Sequence, residues 1–299
     1  MAEDDFNSGG GTLSSNPVRW LTQFELFRRL SQPCSNPACA QRQALWSFWQ
    51  RSSNGIELQG RWYCGAECFE EAARTEFQRL RAVPEPSLRQ AHRMPIGLLL
   101  LSRGVITEAQ LKEALALQRE KGTGRLGKFL REIRAATEHD IVAGLASQWG
   151  CPVYTLSSPE QSLPYASLLP LLLLESVRML PVNHIRIQQM LYLAFVEGID
   201  RNALYSVEQM LRLRTIPCVV AESAYLGAME ELRRVESVPT TVFESPLESR
   251  EMARTTRSYA WQVGANEVWM VRSGRFIWVR LRNPQGAKDI LFQVLPAAR

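Results

Sequence analysis

The chain has little histidine and no long apolar run, and each scarcity excludes a class of function. Only three histidines occur in 299 residues. None of them (His92, His139, His184) stands near a candidate nucleophile, so Ser/His/Asp and Cys/His catalysis have no supporting motif. No GxxxxGK[ST] stretch is present, which removes the phosphate-cradling loop of P-loop nucleotide hydrolases. The longest apolar runs, GLLLL and LLPLLLL, are far shorter than a membrane span. The N-terminus, MAEDDFNSGGGTLSSN, is acidic and then Gly/Ser-rich, the opposite of a secretory leader's basic and apolar start. The expectation is a cytoplasmic, non-enzymatic protein with no membrane span.

What is present is globular and mildly basic: 45% hydrophobic residues, 22% charged residues and a net charge of +5. The length predicts two or three domains. The positive balance favours anionic partners without choosing among nucleotide, nucleic acid and acidic surface. Six cysteines in a reducing compartment point to metal ligation or free thiols, not to a disulfide framework.

One stretch occurs twice, thirty positions apart: PIGLLLLSRGVITEAQLKEALALQ from Pro95 and RLGKFLREIRAATEHDIVAGLASQ from Arg125. In register, Ile96 pairs with Leu126, Gly97 with Gly127, Leu100 with Leu130, Leu111 with Ile141, Leu115 with Leu145 and Gln118 with Gln148. Thr107 and Glu108 likewise pair with Thr137 and Glu138. Such a repeat sets the architecture around it. Each copy reads as helix, turn, helix. Gly104 ends the first helix where φ is positive, and Thr107 with Gln110 forms a capping box for the next, as Thr137 does with Asp140. Neither hairpin can bury its apolar face alone, so the two should stack.

Upstream, Cys34 and Cys39 precede Cys64 and Cys68. Between the pairs, ALWSFWQR and IELQGRWYC alternate around SSNG and predict a hairpin, with Trp46, Trp49 and Trp62 as its core. AECFEEAARTEFQRL then reads as a helix with Phe69, Ala73 and Phe77 on one face. Four thiolates would close a tetrahedral structural Zn²⁺ site with no open position; the alternative is four free thiols in a small core. The order of knuckle, hairpin and helix resembles a treble-clef zinc finger.

The repeat's spacing (RLG, then Leu, Gly, Leu, Leu and Gln at fixed intervals) resembles the tandem motif of the MshEN domain, the N-terminal domain of type II secretion and type IV pilus assembly ATPases. The resemblance spans about Met94 to Arg234. It implies cyclic di-GMP as ligand, held by Ile96, Gly97, Leu100, Gly104, Leu111, Leu115, Gln118, Arg125, Leu126, Gly127, Leu130, Ile141, Leu145 and Gln148, and a protein partner in secretion or pilus machinery. Two positions depart from the pattern: Pro95 replaces the first arginine, for which Arg93 is a candidate substitute, and Arg134 replaces the second turn glycine. From Arg89 to Arg134 ten Lys or Arg stand against four acidic residues, which suits a dianionic ligand. A DNA-binding regulator using basic helix-turn-helix units and the finger is the alternative class, and a ligand-free interaction scaffold is a third.

The expected fold class is α+β and multidomain: a small zinc finger of hairpin plus helix, a tandem helix-turn-helix repeat with a small α/β lobe, and a C-terminal antiparallel β-meander. The expected divisions are a disordered tail over 1–19, the zinc-binding domain over 20–80, a linker over 81–93, the tandem motif over 94–160, its α/β lobe over 161–236, and a linker, short helix and three-stranded meander over 237–299. In the lobe, HIRIQQ, MLYLAFVEG and TIPCVVAE read as strands. The meander reads as one packed and one solvated face, with Trp261, Trp269 and Trp278 on its strands.

Overall fold

In a computed structural model the described residues are 33–39, 55–82, 93–235 and 239–294. The expected tail, the strand ALWSFWQR with residues 52–54 of its SSNG turn, and 83–92 of the expected linker lie outside them.

Two short strands, β1 (Ile56–Leu58) and β2 (Arg61–Tyr63), pair antiparallel. Their turn is Gln59 and Gly60, at φ 52° and 74°. IELQGRWYC is therefore two strands and not one, because paired positive φ values are what a two-residue hairpin turn requires. Helix α1 (Ala66–Ala82) follows and buries Phe69, Ala73, Phe77 and Leu80 along one stripe. It takes in Arg81 and Ala82 from the expected linker.

The tandem repeat forms four helices: α2 (Ile96–Ser102), α3 (Glu108–Lys121), α4 (Leu126–Glu132) and α5 (Glu138–Trp149). Both capping boxes form, Thr107 with Gln110 and Thr137 with Asp140. Gly104 is left-handed at φ 69°, and Arg134 takes the same turn at φ 55°. The packing is exchanged between copies: α2 lies on α5 and α3 lies on α4. Leu100, Ile106, Leu111, Ala114, Phe129, Leu130 and Ala136 fill the shared interior.

A 3₁₀ segment (Pro159–Leu168) and helix α6 (Leu171–Val177) lead into a three-stranded sheet. Its strands are β3 (Met179–Ile185), β4 (Met190–Phe195) and β5 (Arg214–Val219), in that order. The first pair is antiparallel and the second parallel. Helix α7 (Arg201–Leu211) connects β4 to β5, and α8 (Glu222–Arg234) follows β5. HIRIQQ is mostly not a strand. Arg186–Gln188 is a 3₁₀ turn ending at Gln189, φ 52°, which reverses the chain into β4, and the strand begins earlier, at Met179. Ile187 is 98% exposed, so its branched side chain has no sheet to pack on.

Strand β6 (Thr240–Phe243) and helix α9 (Ser249–Gln262) precede the meander β7 (Glu267–Ser273), β8 (Phe276–Asn283) and β9 (Gly286–Gln293). The segment read as a linker thus supplies a strand, parallel to β9. The helix runs on through Trp261, because nothing breaks it before Gly264 at φ 61°. The sheet has six strands in the order β2-β1-β7-β8-β9-β6. Its first two come from the cysteine-bearing segment, joined through a parallel β1/β7 pairing.

Both faces of the central strand are covered. Ile277, Val279 and Leu281 join the core under α1 and α9, whereas Phe276 and Trp278 join the core of the lobe. The solvated face expected for the meander is absent on β8 because the lobe occupies it. Arg280 lies on that inner side, 4% exposed, with Nε and Nη2 donating to Asp289 at 2.8 and 2.6 Å and Nη2 also to Leu168 O at 2.8 Å. A buried guanidinium persists only when paired in this way.

Candidate functional site

Two sites emerge. In the first, the fold places Cys34, Cys39, Cys64 and Cys68 so that their four Sγ atoms lie within 4.8 Å of one another. Cys39 Sγ is 3.5 Å from Cys64 Sγ, which is 3.8 Å from Cys68 Sγ. Four sulfurs at about 2.3 Å from one Zn²⁺ stand roughly 3.8 Å apart, so the donor set fits that ion. None of the four is in a disulfide. Burial, then hydrogen bonding to neighbouring thiols, pushes Cys64 well above the usual thiol range. Burial likewise raises Cys68 to about 11, against a hydrogen bond to Asn36 that acts to lower it. A clustered set of protonated thiols is what a divalent cation would convert to thiolates. Cys34 and Cys39 are also part of the core that holds Phe292 and Ile290 of β9, so the cluster is built into the six-stranded sheet's own core.

The second site is the tandem motif, whose pseudo-symmetry extends to hydrogen bonds. Gln118 Nε2 donates to Gly124 O at 2.8 Å, and Gln148 Nε2 donates to Met94 O at 2.8 Å. Each glutamine thus holds the entry to the other copy's first helix. The glycines act by closeness. A Cβ on Gly97 would meet Leu111 and Leu126 at 2.7 and 2.8 Å, and one on Gly127 would meet Ile141 at 3.0 Å. Leu100, Leu111 and Leu130 are buried between the helices. Ile96, Leu115, Gln118, Leu126, Gly127, Ile141, Leu145 and Gln148 are partly exposed, and Gly104 and Arg125 are exposed. Gln148 is tied back to Met94 with Pro95, not an arginine, at the start of α2.

Arg125 is engaged by the lobe. Its Nη2 lies 2.6 Å from Glu197, which Arg178 also holds at 2.9 Å. Arg178 reaches Glu222 at 2.6 Å, and Arg131 joins Glu222 at 3.0 Å to Glu138 at 3.3 Å. Ser223 donates to Glu138 from Oγ at 2.6 Å and from N at 3.0 Å. Burial opposes ionisation of Glu138, but these bonds and Arg131 outweigh it and hold the carboxyl below its usual range. Glu197, Arg178 and Glu222 are invisible to motif reading. They lie 19 to 91 residues from their partners and meet them only through the fold.

No protein-family profile matches the chain. Over 134 residues it is 27% identical to the type IV pilus assembly ATPase PilB of Thermus thermophilus, covering 45% of this chain and 15% of that protein. A solved structure of MshE with cdg, cyclic di-GMP, matches at 26% identity over 47% of this chain and 99% of that one, with a TM-score of 0.40. The N-terminal domain of XpsE matches at 21% identity over 45% and 91%, with a TM-score of 0.32. The motif and the PilB similarity together mark an MshEN-like domain, of the kind found at the N-terminus of secretion and pilus ATPases. The chain spans only 15% of the length of that ATPase. No helix among the described residues is long and apolar enough to cross a membrane.

Proposed function

We propose that this protein is a non-enzymatic receptor or adaptor that binds cyclic di-GMP through its tandem motif and docks on type II secretion or type IV pilus machinery, with a structural Zn²⁺ in its cysteine cluster. The observation that carries the reading is the exchanged pair of hairpins with matched Gln-to-carbonyl ties, a pseudo-two-fold frame for a two-fold ligand. Arg125 is its cation for a phosphate or a guanine edge. The partly exposed Ile96, Leu115, Leu126 and Ile141 are its apolar surface.

Ligand binding competes with Glu197 for Arg125. Isothermal titration calorimetry with cyclic di-GMP should show saturable heat that Arg125→Ala weakens. Glu197→Gln should tighten binding by up to about fivefold, since a largely exposed pair of this kind is worth about 0.2–1 kcal/mol. No heat at high micromolar ligand ends the receptor half and leaves a scaffold.

A further inference from the structure

A cleft of about 320 Å³ lies beside the tandem motif, lined by Arg93, Trp149, Arg201, Tyr205, Glu208 and Thr215 among others. Its size is at the lower end of small-molecule sites. The cleft is organised around a stack: the Arg93 guanidinium sits 3.5 Å from the centroid of Trp149. The indole is held from another side by Gly198, where a Cβ would meet the ring at 2.7 Å. Arg93 Nη1 and Trp149 Nε1 are both buried with no acceptor among the described residues. Other buried polar atoms among the described residues share this lack, Trp269 Nε1 and Trp278 Nε1 included, but these two are the ones that belong to residues lining the cleft.

The remaining polar groups sharpen the chemistry. Glu208, the acid in the lining, already accepts from Thr215 N and Oγ1 at 2.8 and 2.9 Å. Tyr205 Oη accepts from Gln209 Nε2 at 2.7 Å, which leaves its own O–H free to donate. Arg201 is exposed. The cleft therefore presents two guanidiniums, an indole and a phenol O–H against one carboxylate, whose Oε1 takes both bonds from Thr215. Ile199, Leu204 and Pro217 form its apolar wall, and the Tyr205 side chain is 60% exposed.

We infer that this cleft, at the end of α5 and apart from Arg125, is a second ligand site for a small anion whose head carries acceptor oxygens on a flat apolar body, such as an aryl phosphate or aryl carboxylate. The head would pair with Arg201 and, through a small shift that opens the Arg93–Trp149 stack to the cleft, with the two donors the closed stack shields from solvent, and the body would lie against Tyr205, Leu204 and Pro217. The inference does not depend on cyclic di-GMP binding at the tandem motif.

The test uses the full chain with ¹⁵N-labelled tryptophan side chains, the Trp149 signal being assigned with Trp149→Phe. Calorimetry on the same protein gives affinity without any assignment. Phenyl phosphate should move the Trp149 indole signal saturably and phenol should not, while benzoate tells whether a carboxylate suffices. Arg201→Ala, a change at the surface, should weaken phenyl phosphate about tenfold by removing a charge-assisted contact. Arg125→Ala should leave it unchanged. The proposal is overturned by no response to either anion at millimolar concentration, by an equal response to phenol, or by affinity indifferent to Arg201→Ala.

Discussion

The two turns of the repeat offer a paired test of backbone strain. Gly104 and Arg134 stand at equivalent positions, at φ 69° and 55°. A Cβ on Gly104 would meet nothing within 4 Å, and Arg134 is exposed, so neither exchange changes packing. A non-glycine residue in the left-handed region costs about 1–2 kcal/mol. Glycine there gives back about 0.5–1 kcal/mol through the freedom of the unfolded chain. Arg134→Gly should therefore stabilise its turn by about 0.5–1 kcal/mol, and Gly104→Ala should destabilise its own by a similar amount. A chain with several packed units need not unfold in one step, so the assay must be local. Amide hydrogen exchange at Val105 and Ala135, which donate to Leu100 O and Leu130 O at 3.0 and 2.9 Å across the two turns, reads each turn in place. Protection should fall at Val105 in one variant and rise at Ala135 in the other, by about two- to fivefold. A change of the same sign at both would refute the strain argument.

Two further outcomes follow. Metal analysis should return about one Zn²⁺ per chain, lost in Cys64→Ser. Because Cys34 and Cys39 share a core with β7, β8 and β9, chelation should also disturb the near-ultraviolet circular dichroism of the C-terminal sheet, with Met270, Ile277 and Phe292 losing part of their support. A metal-free protein with that signal intact would contradict this. As for pH, hydrogen bonds from the Thr137 side chain and backbone hold Asp140 below its usual range, and Glu138 is also held low. A carboxyl depressed in the folded state contributes stability above its unfolded pKa and loses it as pH falls through the folded value. Helix α5 should therefore keep full protection at neutral pH and lose it below about pH 4. Ser223→Ala should shift that loss upward, and a pH-independent α5 would refute the assignment.

Much of this protein was legible in one dimension, because its strongest signals are local. The capping residues Thr107, Gln110, Thr137 and Asp140, the turn glycine Gly104, the thirty-residue period and the two cysteine pairs each act within a few positions of their own place in the chain. Periodicity was less reliable where partners come from afar. The segment through Trp261 reads as a strand in sequence and folds as a helix, because alternating aromatics fit either element. The meander's second face reads as solvated in sequence because no local feature of β8 tells that the lobe covers Trp278.

The sequence by itself determined the tandem hairpins, their caps and the identity of the four candidate metal ligands, since short-range sterics and hydrogen bonding specify these. Only the tertiary structure decided that the hairpins exchange partners, that Arg125 pairs with Glu197, that Arg93 stacks on Trp149, and that β1 joins β7 across some 200 residues of chain. Those contacts follow from how apolar faces are buried together, a property of the whole chain that no single stretch encodes.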